Sequence, residues 1–243
     1  MDPAPSLTIF FPCYNDAQAI QELLPRAETV AEELTKDYEI IVVDDGSDEG
    51  NRKLLKELGK TRPRLRLVFH KKNQGYGGAL RSGFSHAAKD WVFYTDGDGQ
   101  YDISELRNFW ARRAEGADVI NGYKRAREDA LHRVLLGELY RKFARIFFKL
   151  PIRDVDCDFR LIRRRVFRDI VLRQTSAAIC LELVKKIERA GFRFLELPVH
   201  HYARSHGESR FFNPLSLMKT SLGVFSLAWE LAVTKGNPKH VSP

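Results

Sequence analysis

The sequence predicts an α/β fold in which a mostly parallel central sheet is flanked by helices. Strand-like runs alternate with helical patterns through the first half of the chain, an order that calls for parallel strands covered on both faces. A length of 243 residues with 44% hydrophobic content suffices for one full core, alone or with a small appendage. No internal repeat interrupts that reading.

Leu7 to Pro12 (LTIFFP) is a short apolar run closed by proline and reads as the first strand. Ile20, Leu23, Leu24, Ala27, Ala31 and Leu34 then recur at helical spacing, with Pro25 expected near the first turn or at a kink. Glu39 to Val43 (EIIVV) is a β-branched strand that runs into Asp44-Asp45-Gly46-Ser47. A short helix over Arg52 to Leu58 and a third strand over Leu65 to Phe69 follow. The glycine-rich turn Asn73 to Gly78 (NQGYGG) opens a helical segment that reaches Ala88. Trp91 to Thr95 (WVFYT) is the fourth strand and ends in Asp96-Gly97-Asp98-Gly99-Gln100. Leu106 to Ala114 reads as a helix and Asp118 to Tyr123 as a fifth strand.

Beyond residue 124 the pattern changes. Leu131 to Leu150 reads as a long helix, the stretch around Pro151 to Phe159 as a loop, Ala177 to Ala190 as a helix and Phe192 to Val199 as the last strand. From Pro214 the chain is helical in tendency but apolar on several sides. The expected division is one domain over residues 1–213 and a C-terminal apolar helical extension and tail over 214–243.

In open parallel sheets, ligands bind beyond the carboxyl ends of the strands. Pro12 to Asp16, Asp44 to Ser47 and Asp96 to Gln100 all fall at such ends, so three polar clusters converge on one rim. Asp96 and Asp98, with Gln100 two residues on, offer hard oxygen ligands of the kind Mg²⁺ and Mn²⁺ take, usually with substrate phosphate oxygens beside them. A glycine-rich turn with solvated aspartates would carry the same letters. An EF-hand loop does not fit, because counting from Asp96 puts Tyr101 at the glycine position and Arg107 at the glutamate position.

The formal net charge of +8 concerns partners rather than fold, and the surplus is concentrated between Lys124 and Arg168. Nucleic acid, anionic lipid and a phosphorylated substrate are all compatible with it, but no zinc-finger or RNA-recognition motif supports the first. Three widely spaced cysteines, Cys13, Cys157 and Cys180, argue for a reducing compartment rather than a disulfide framework. The first residues lack the pattern of a signal peptide, and no run approaches the roughly 18 uncharged apolar residues of a membrane span. A cytoplasmic protein is expected. Leu139 to Leu150 (LYRKFARIFFKL) is amphipathic, with Leu139, Phe143, Ile146, Phe147 and Leu150 on one face and Arg141, Lys142, Arg145 and Lys149 on another. It suits either an anionic bilayer surface or ordinary packing on the sheet, and the apolar segment from Leu215 suits membrane docking or a contact in a homo-oligomer.

With FFPCYND, VVDDGSDEG, NQGYGGALRSG and YTDGDGQYD in that order, the sequence resembles family-2 glycosyltransferases of the GT-A fold. DVDCDFRLIRR, from Asp154, and HHYARSHGESRFF, from His200, make it similar to the polyprenyl- or dolichyl-phosphate sugar synthases within that family. The resemblance implies transfer of a hexose, with inversion, from an NDP-sugar of the GDP-mannose or UDP-glucose type to polyprenyl phosphate. A protein of this kind would be peripheral at the inner face of a membrane. It further implies that Pro12, Tyr14, Asn15 and Asp16 line the nucleotide pocket, that Asp44 faces the base and that Asp45 and Ser47 support the ribose side. Asp16 replaces the usual glutamate and equally suits a helix N-cap. Gly75 and Gly77 would bring backbone N–H groups near the nucleotide, although such a turn is equally an ordinary loop. Asp96, Asp98 and Gln100 would hold Mg²⁺ or Mn²⁺ on the donor diphosphate.

For the acceptor phosphate the resemblance points to Lys124, Arg133, Arg160, Arg204, Ser209 and Arg210, with Asp98, Arg160, Arg204 and Glu182 as the catalytic set. Lys124 stands where many members carry arginine, and Asp158 where many carry serine or glycine. Any single one of these bases can instead be a surface ion pair. Glu182 either orients the acceptor region, serves as a base toward an alcohol, or is a surface residue that pairs with Lys185 or Lys186 along its helix. His200 and His201 either touch phosphate or serve as a structural pair at a strand end. A soluble or saccharide acceptor, and a nucleotide-binding scaffold without turnover, are the alternatives.

Overall fold

The computed structural model describes residues 4–125, 142, 144–202 and 214–233. Seven strands form one sheet: β1 (Leu7–Cys13), β2 (Tyr38–Asp44), β3 (Leu65–Phe69), β4 (Trp91–Thr95), β5 (Val119–Lys124), β6 (Phe159–Arg163) and β7 (Phe194–Val199), in the order β3-β2-β1-β4-β6-β5-β7. All pairings are parallel except those of β6, which runs antiparallel to β4 on one side and to β5 on the other. The fold class is as expected, an α/β sandwich on a mostly parallel sheet.

Residue alternation along each strand divides the interior into two cores. Ile9, Phe11, Ile40, Val42, Phe93 and Leu161 point to one side, where helices α1 (Ala17–Leu34), α2 (Glu49–Lys60) and α4 (Leu106–Arg112) cover them. Phe10, Ile41, Val43, Tyr94 and Ile162 point to the other, under α3 (Tyr76–His86), the short α5 (Val166–Asp169) and α6 (Ala178–Arg189). A third cluster joins Phe148 and Leu150 to the back of α6 at Leu181 and Val184, and to Leu227 and Leu231 of α7 (Pro214–Val233).

Two sequence expectations change. The loop expected around Pro151 to Phe159 gives way at Phe159 to β6, an interior strand of the sheet between β4 and β5. Its alternation is concealed by arginine at two of five positions, one of which, Arg160, is buried. Pro25 sits inside α1 rather than in its first turn, on the exposed face of the helix. The carbonyl one turn back, which proline cannot serve, is on an exposed residue and can be hydrated there. The long helix expected over Leu131 to Leu150 falls largely outside the described residues.

Where α3 crosses β1, its glycine is required by contact. A Cβ on Gly83 would lie 2.3 Å from the ring of Phe10. Gly83→Ala is therefore expected to destabilise the protein by about 1–3 kcal/mol through overpacking. Urea unfolding measures it, and an unchanged midpoint would mean that α3 can lift away from the sheet at no cost.

Candidate functional site

The carboxyl ends of β2, β1 and β4 are adjacent because β1 pairs in parallel with both neighbours. The turns that follow them are tied to one another. Asn15 has a positive φ of 56°, a conformation asparagine tolerates. Its N–H donates to Ser47 Oγ at 2.8 Å, and its Oδ1 accepts from the Asp48 N–H at 2.9 Å. Asp44 is buried, accepts from the Ser47 N–H and is charge-balanced by Arg52 Nε at 2.9 Å. Asp16 occupies the N-cap position of α1, yet its side chain makes no capping bond. Asn51 from α2 reaches across and accepts from the Ala17 N–H at 3.0 Å instead. Pro12 is half-buried beside this turn and Tyr14 is exposed at its edge.

Asp45 is the most heavily engaged of these residues. Its carboxylate accepts from the backbone N–H groups of Gln74 at 2.8 Å and Gly75 at 2.9 Å, and lies 2.6 Å from His70 Nδ1. The other nitrogen of His70 lies 2.8 Å from Ser82 Oγ. Asp45 thus fixes the glycine-rich turn. A Cβ on Gly75 would lie 2.4 Å from the Thr175 carbonyl oxygen, and one on Gly77 equally close to that of Gln174. The Gly77 N–H donates to Thr175 at 2.9 Å. The close approach these glycines permit is therefore to the chain's own Gln174–Thr175 segment, and both N–H groups expected to face a nucleotide already have partners.

At the end of β4, Asp98 is buried and Asp96 half-buried, with buried Asp158 beside them. The Asp96 carboxyl accepts from Tyr76 Oη at 2.8 Å. Its pKa is pushed well above the ordinary range by burial and then by the negative charges of Asp158 and Asp98, with Tyr76 and Lys124 opposing. Gly97 permits this turn to pass close under β1, since a Cβ there would lie 2.8 Å from the Pro12 carbonyl oxygen. The Gln100 N–H donates to Asp98 Oδ1 at 3.1 Å, while its amide nitrogen donates to the Tyr202 carbonyl at 3.0 Å.

Arg160, expected to meet an acceptor, is only 1% exposed. Its guanidinium donates to Asn121 Oδ1 at 2.5 Å, to Tyr94 Oη and to the Val155 carbonyl, and lies 3.7 Å from Asp158. That arrangement accounts for the unusual acid: Asp158 is the buried partner of Arg160 and also accepts from the Cys180 thiol at 3.3 Å. Lys124, at the end of β5, donates to the Asp156 carbonyl at 3.1 Å and lies over the Tyr101 ring, on the same side of the site as Asp96. His200 pairs with Glu105 at 2.5 Å, and His201 packs its ring on Tyr101. Arg133, Arg204, Ser209 and Arg210 lie outside the described residues.

Tyr76, His70, Asn51 and Asn121 were not singled out from sequence. Only Asn121 carried a signal, an amide amid the apolar residues of a strand, and it is fully buried.

Glu182 is fully buried rather than on the surface. It accepts from the N–H groups of Arg173 at 3.0 Å and Gln174 at 2.8 Å and pairs with Lys186 at 2.7 Å, the helix ion pair weighed above. Both oxygens are committed to holding the 173–175 segment, a positioning task. Glu182→Ala should cost about 1–3 kcal/mol by removing the acceptor of the Arg173 and Gln174 N–H groups, Lys186 keeping Glu230 as a partner, and Glu182→Gln less. Urea unfolding run beside turnover decides the matter: unchanged stability with abolished turnover in the glutamine variant would make Glu182 a base instead.

Solved structures share this fold at low identity. A mannosyl-3-phosphoglycerate synthase from Rubrobacter xylanophilus is similar at 17% identity and a TM-score of 0.69, over 98% of this chain and 77% of that one. A glucosyl-3-phosphoglycerate synthase from Mycobacterium tuberculosis, in complex with Mn²⁺, UDP and phosphoglyceric acid, is similar at 16% identity and 0.64, over 93% and 78%. A mannosyltransferase from Pyrobaculum calidifontis, in complex with GDP-Man and Mn²⁺, is similar at 18% identity and 0.60, over 98% and 77%. The model of the family described as glycosyl transferase family 2 matches residues 8–171, well over half the sequence and every strand from β1 to β6. That match means that the chain belongs to glycosyl transferase family 2.

Proposed function

We propose that the protein is an inverting glycosyltransferase that moves a hexose from an NDP-sugar to polyprenyl phosphate, working as a peripheral protein at the inner face of a membrane. One observation carries the donor half: carboxylates at the end of β4 face a rim on which the turns after β1 and β2 are fixed to one another. Mg²⁺ or Mn²⁺ suits Asp96 and Asp98, with Gln100 adjacent, because these are hard oxygen donors crowded enough to raise Asp96. Among the described residues no three His, Cys, Asp or Glu side chains are grouped to hold an ion alone, which suits a cation that also takes phosphate oxygens of the donor. Such an ion stabilises charge on the departing nucleoside diphosphate.

The chain's own residues do the rest. Pro12, Tyr14 and Asn15 border the nucleotide, with Asp44, Asp45 and Ser47 keeping that border rigid. Lys124, with Arg133, Arg204 and Arg210, supplies positive charge on the acceptor side, and Ser209 a hydroxyl donor. An acceptor phosphate is already ionised near neutral pH, so transfer needs no strong base, in keeping with a Glu182 whose oxygens are occupied. Arg160 acts from below, as counter-charge to Asp158.

A second reading has a specific observation behind it. Two of the similar structures are phosphoglycerate-linked synthases, which favours a small soluble phosphate as acceptor. Both readings share a phosphorylated acceptor. A scaffold without turnover is the third.

Purified protein supplied with labelled GDP-mannose or UDP-glucose, Mn²⁺, and either polyprenyl phosphate or 3-phosphoglycerate separates them. Label in the organic phase is the expected result. Label only in an aqueous phosphorylated product would move the acceptor to the second reading, and hydrolysis alone would overturn both. Asp98→Asn should reduce transfer roughly a hundredfold or more, since several kcal/mol of charge stabilisation are removed. Retained transfer in a folded Asp98→Asn sample would remove the metal site from the proposal.

A further inference from the structure

The outward face of α7 is apolar. Met218, Leu222, Phe225, Trp229 and Val233 are all exposed, Phe225 at 73% and Trp229 at 75%. Their spacing of four, three, four and four residues places them in a single stripe along the helix. The register is fixed from inside, because Leu227 and Leu231 are buried in the third cluster. The 144–150 segment repeats the pattern: Ala144, Phe148 and Leu150 enter the same cluster while Ile146 and Phe147 are exposed at 76% and 60%. Five large apolar side chains in one stripe, with two more on a segment rooted in the same cluster, exceed the scattered exposure of an ordinary surface.

The charges on these two segments are mostly basic. Lys142, Arg145 and Lys149 are exposed, as is Lys219 on α7. The single acid of α7, Glu230, is drawn to Lys186 at 3.0 Å and Arg173 at 3.6 Å. No acid occurs between Lys142 and Arg153. A two-fold pairing of copies through this face would set its basic residues near one another. An anionic bilayer surface instead accepts both components, the aromatic and aliphatic groups at the headgroup–acyl boundary and the cations at the phosphates. No helix of the described residues is long and apolar enough to cross a membrane, so the helix would lie along the surface.

We propose that the stripe on α7, with Ile146 and Phe147 and their basic surround, is the face by which the protein docks on an anionic bilayer. The position of α7 gives this a use. Gly223 lies against the Gln174–Ser176 segment, where a Cβ would be 2.6 Å from Gln174 Oε1, and that segment packs on Gly75 and Gly77 at the donor rim. A docked α7 holds the cleft within reach of the headgroup layer, where a lipid-borne phosphate resides. The inference rests on the lipid-acceptor reading for that use, and its test reads membrane binding and product separately.

The experiment is flotation of the full chain with phosphatidylcholine vesicles, with and without phosphatidylglycerol, at low and high salt. Expected are binding that needs phosphatidylglycerol and weakens with salt, and an emission shift from Trp229, since Trp91 and Trp110 are buried already. Phe225→Ser with Trp229→Ser should lower vesicle affinity at least about tenfold, with far-UV circular dichroism unchanged because both side chains are exposed. Lys142→Glu with Arg145→Glu should remove the preference for anionic lipid. Failure to float, or flotation indifferent to the Phe225→Ser/Trp229→Ser pair, would overturn the proposal. So would a dimer that the same pair converts to monomer without any vesicle binding. Flotation combined with transfer only to soluble phosphates would preserve the docking face and remove the lipid acceptor.

Discussion

Negative charge gathered at one place is the constraint around which the molecule is arranged. The charges of Asp158 and Asp98 both bear on Asp96 where the sheet opens beyond β4, and burial there adds to the cost of ionising it. Each neighbouring element contributes something that eases this. The first residue of α3 donates a phenol hydroxyl to Asp96, β5 brings Lys124, and β6 places a guanidinium beneath Asp158. The remaining carboxylates of the rim are discharged locally, Asp44 by Arg52 and Asp45 by backbone N–H groups. Carboxyl groups crowded at one point, with local neutrality elsewhere, suit a cation received together with an anionic ligand.

The parts of this arrangement governed by strand periodicity and turn residues were legible in the sequence. Strands β1 to β5 and β7 appear within two residues of their expected positions, because each is a short apolar run bounded by polar or glycine-containing turns. The convergence of three polar turns on one edge followed from parallel strand order alone. β6 was hidden because its alternation pairs apolar residues with arginines, and a buried arginine reads on paper as a surface one. Its partners, Asn121, Tyr94 and the Val155 carbonyl, come from three separate places in the chain. Periodicity cannot report such long-range matching.

The glycine-rich turn illustrates the same boundary from another side. NQGYGG announces close approach, but not of what to what. Here Gly75 and Gly77 admit the Gln174–Thr175 segment, which buried Glu182 secures by its backbone. Glu182 lies near Lys185 and Lys186 in sequence, and helix spacing did anticipate the Lys186 pair. Its carboxylate is covered by the Arg173–Gln174 backbone, a tertiary contact absent from local spacing.

The antiparallel insertion of β6 also bears on the order in which the molecule can assemble. β3, β2, β1 and β4 pair among themselves, and all four are complete by Thr95. Among the described residues β5 pairs with β6 and β7 alone, both of which come after it in the chain. As the polypeptide leaves the ribosome, a four-stranded half-sheet can therefore close early, with the β4 edge left open until Phe159–Arg163 emerges to cap it. The β4 edge takes its partner from further along the chain than β2 takes either of its own, and a long-range antiparallel pairing of that kind carries the larger loop-closure entropy.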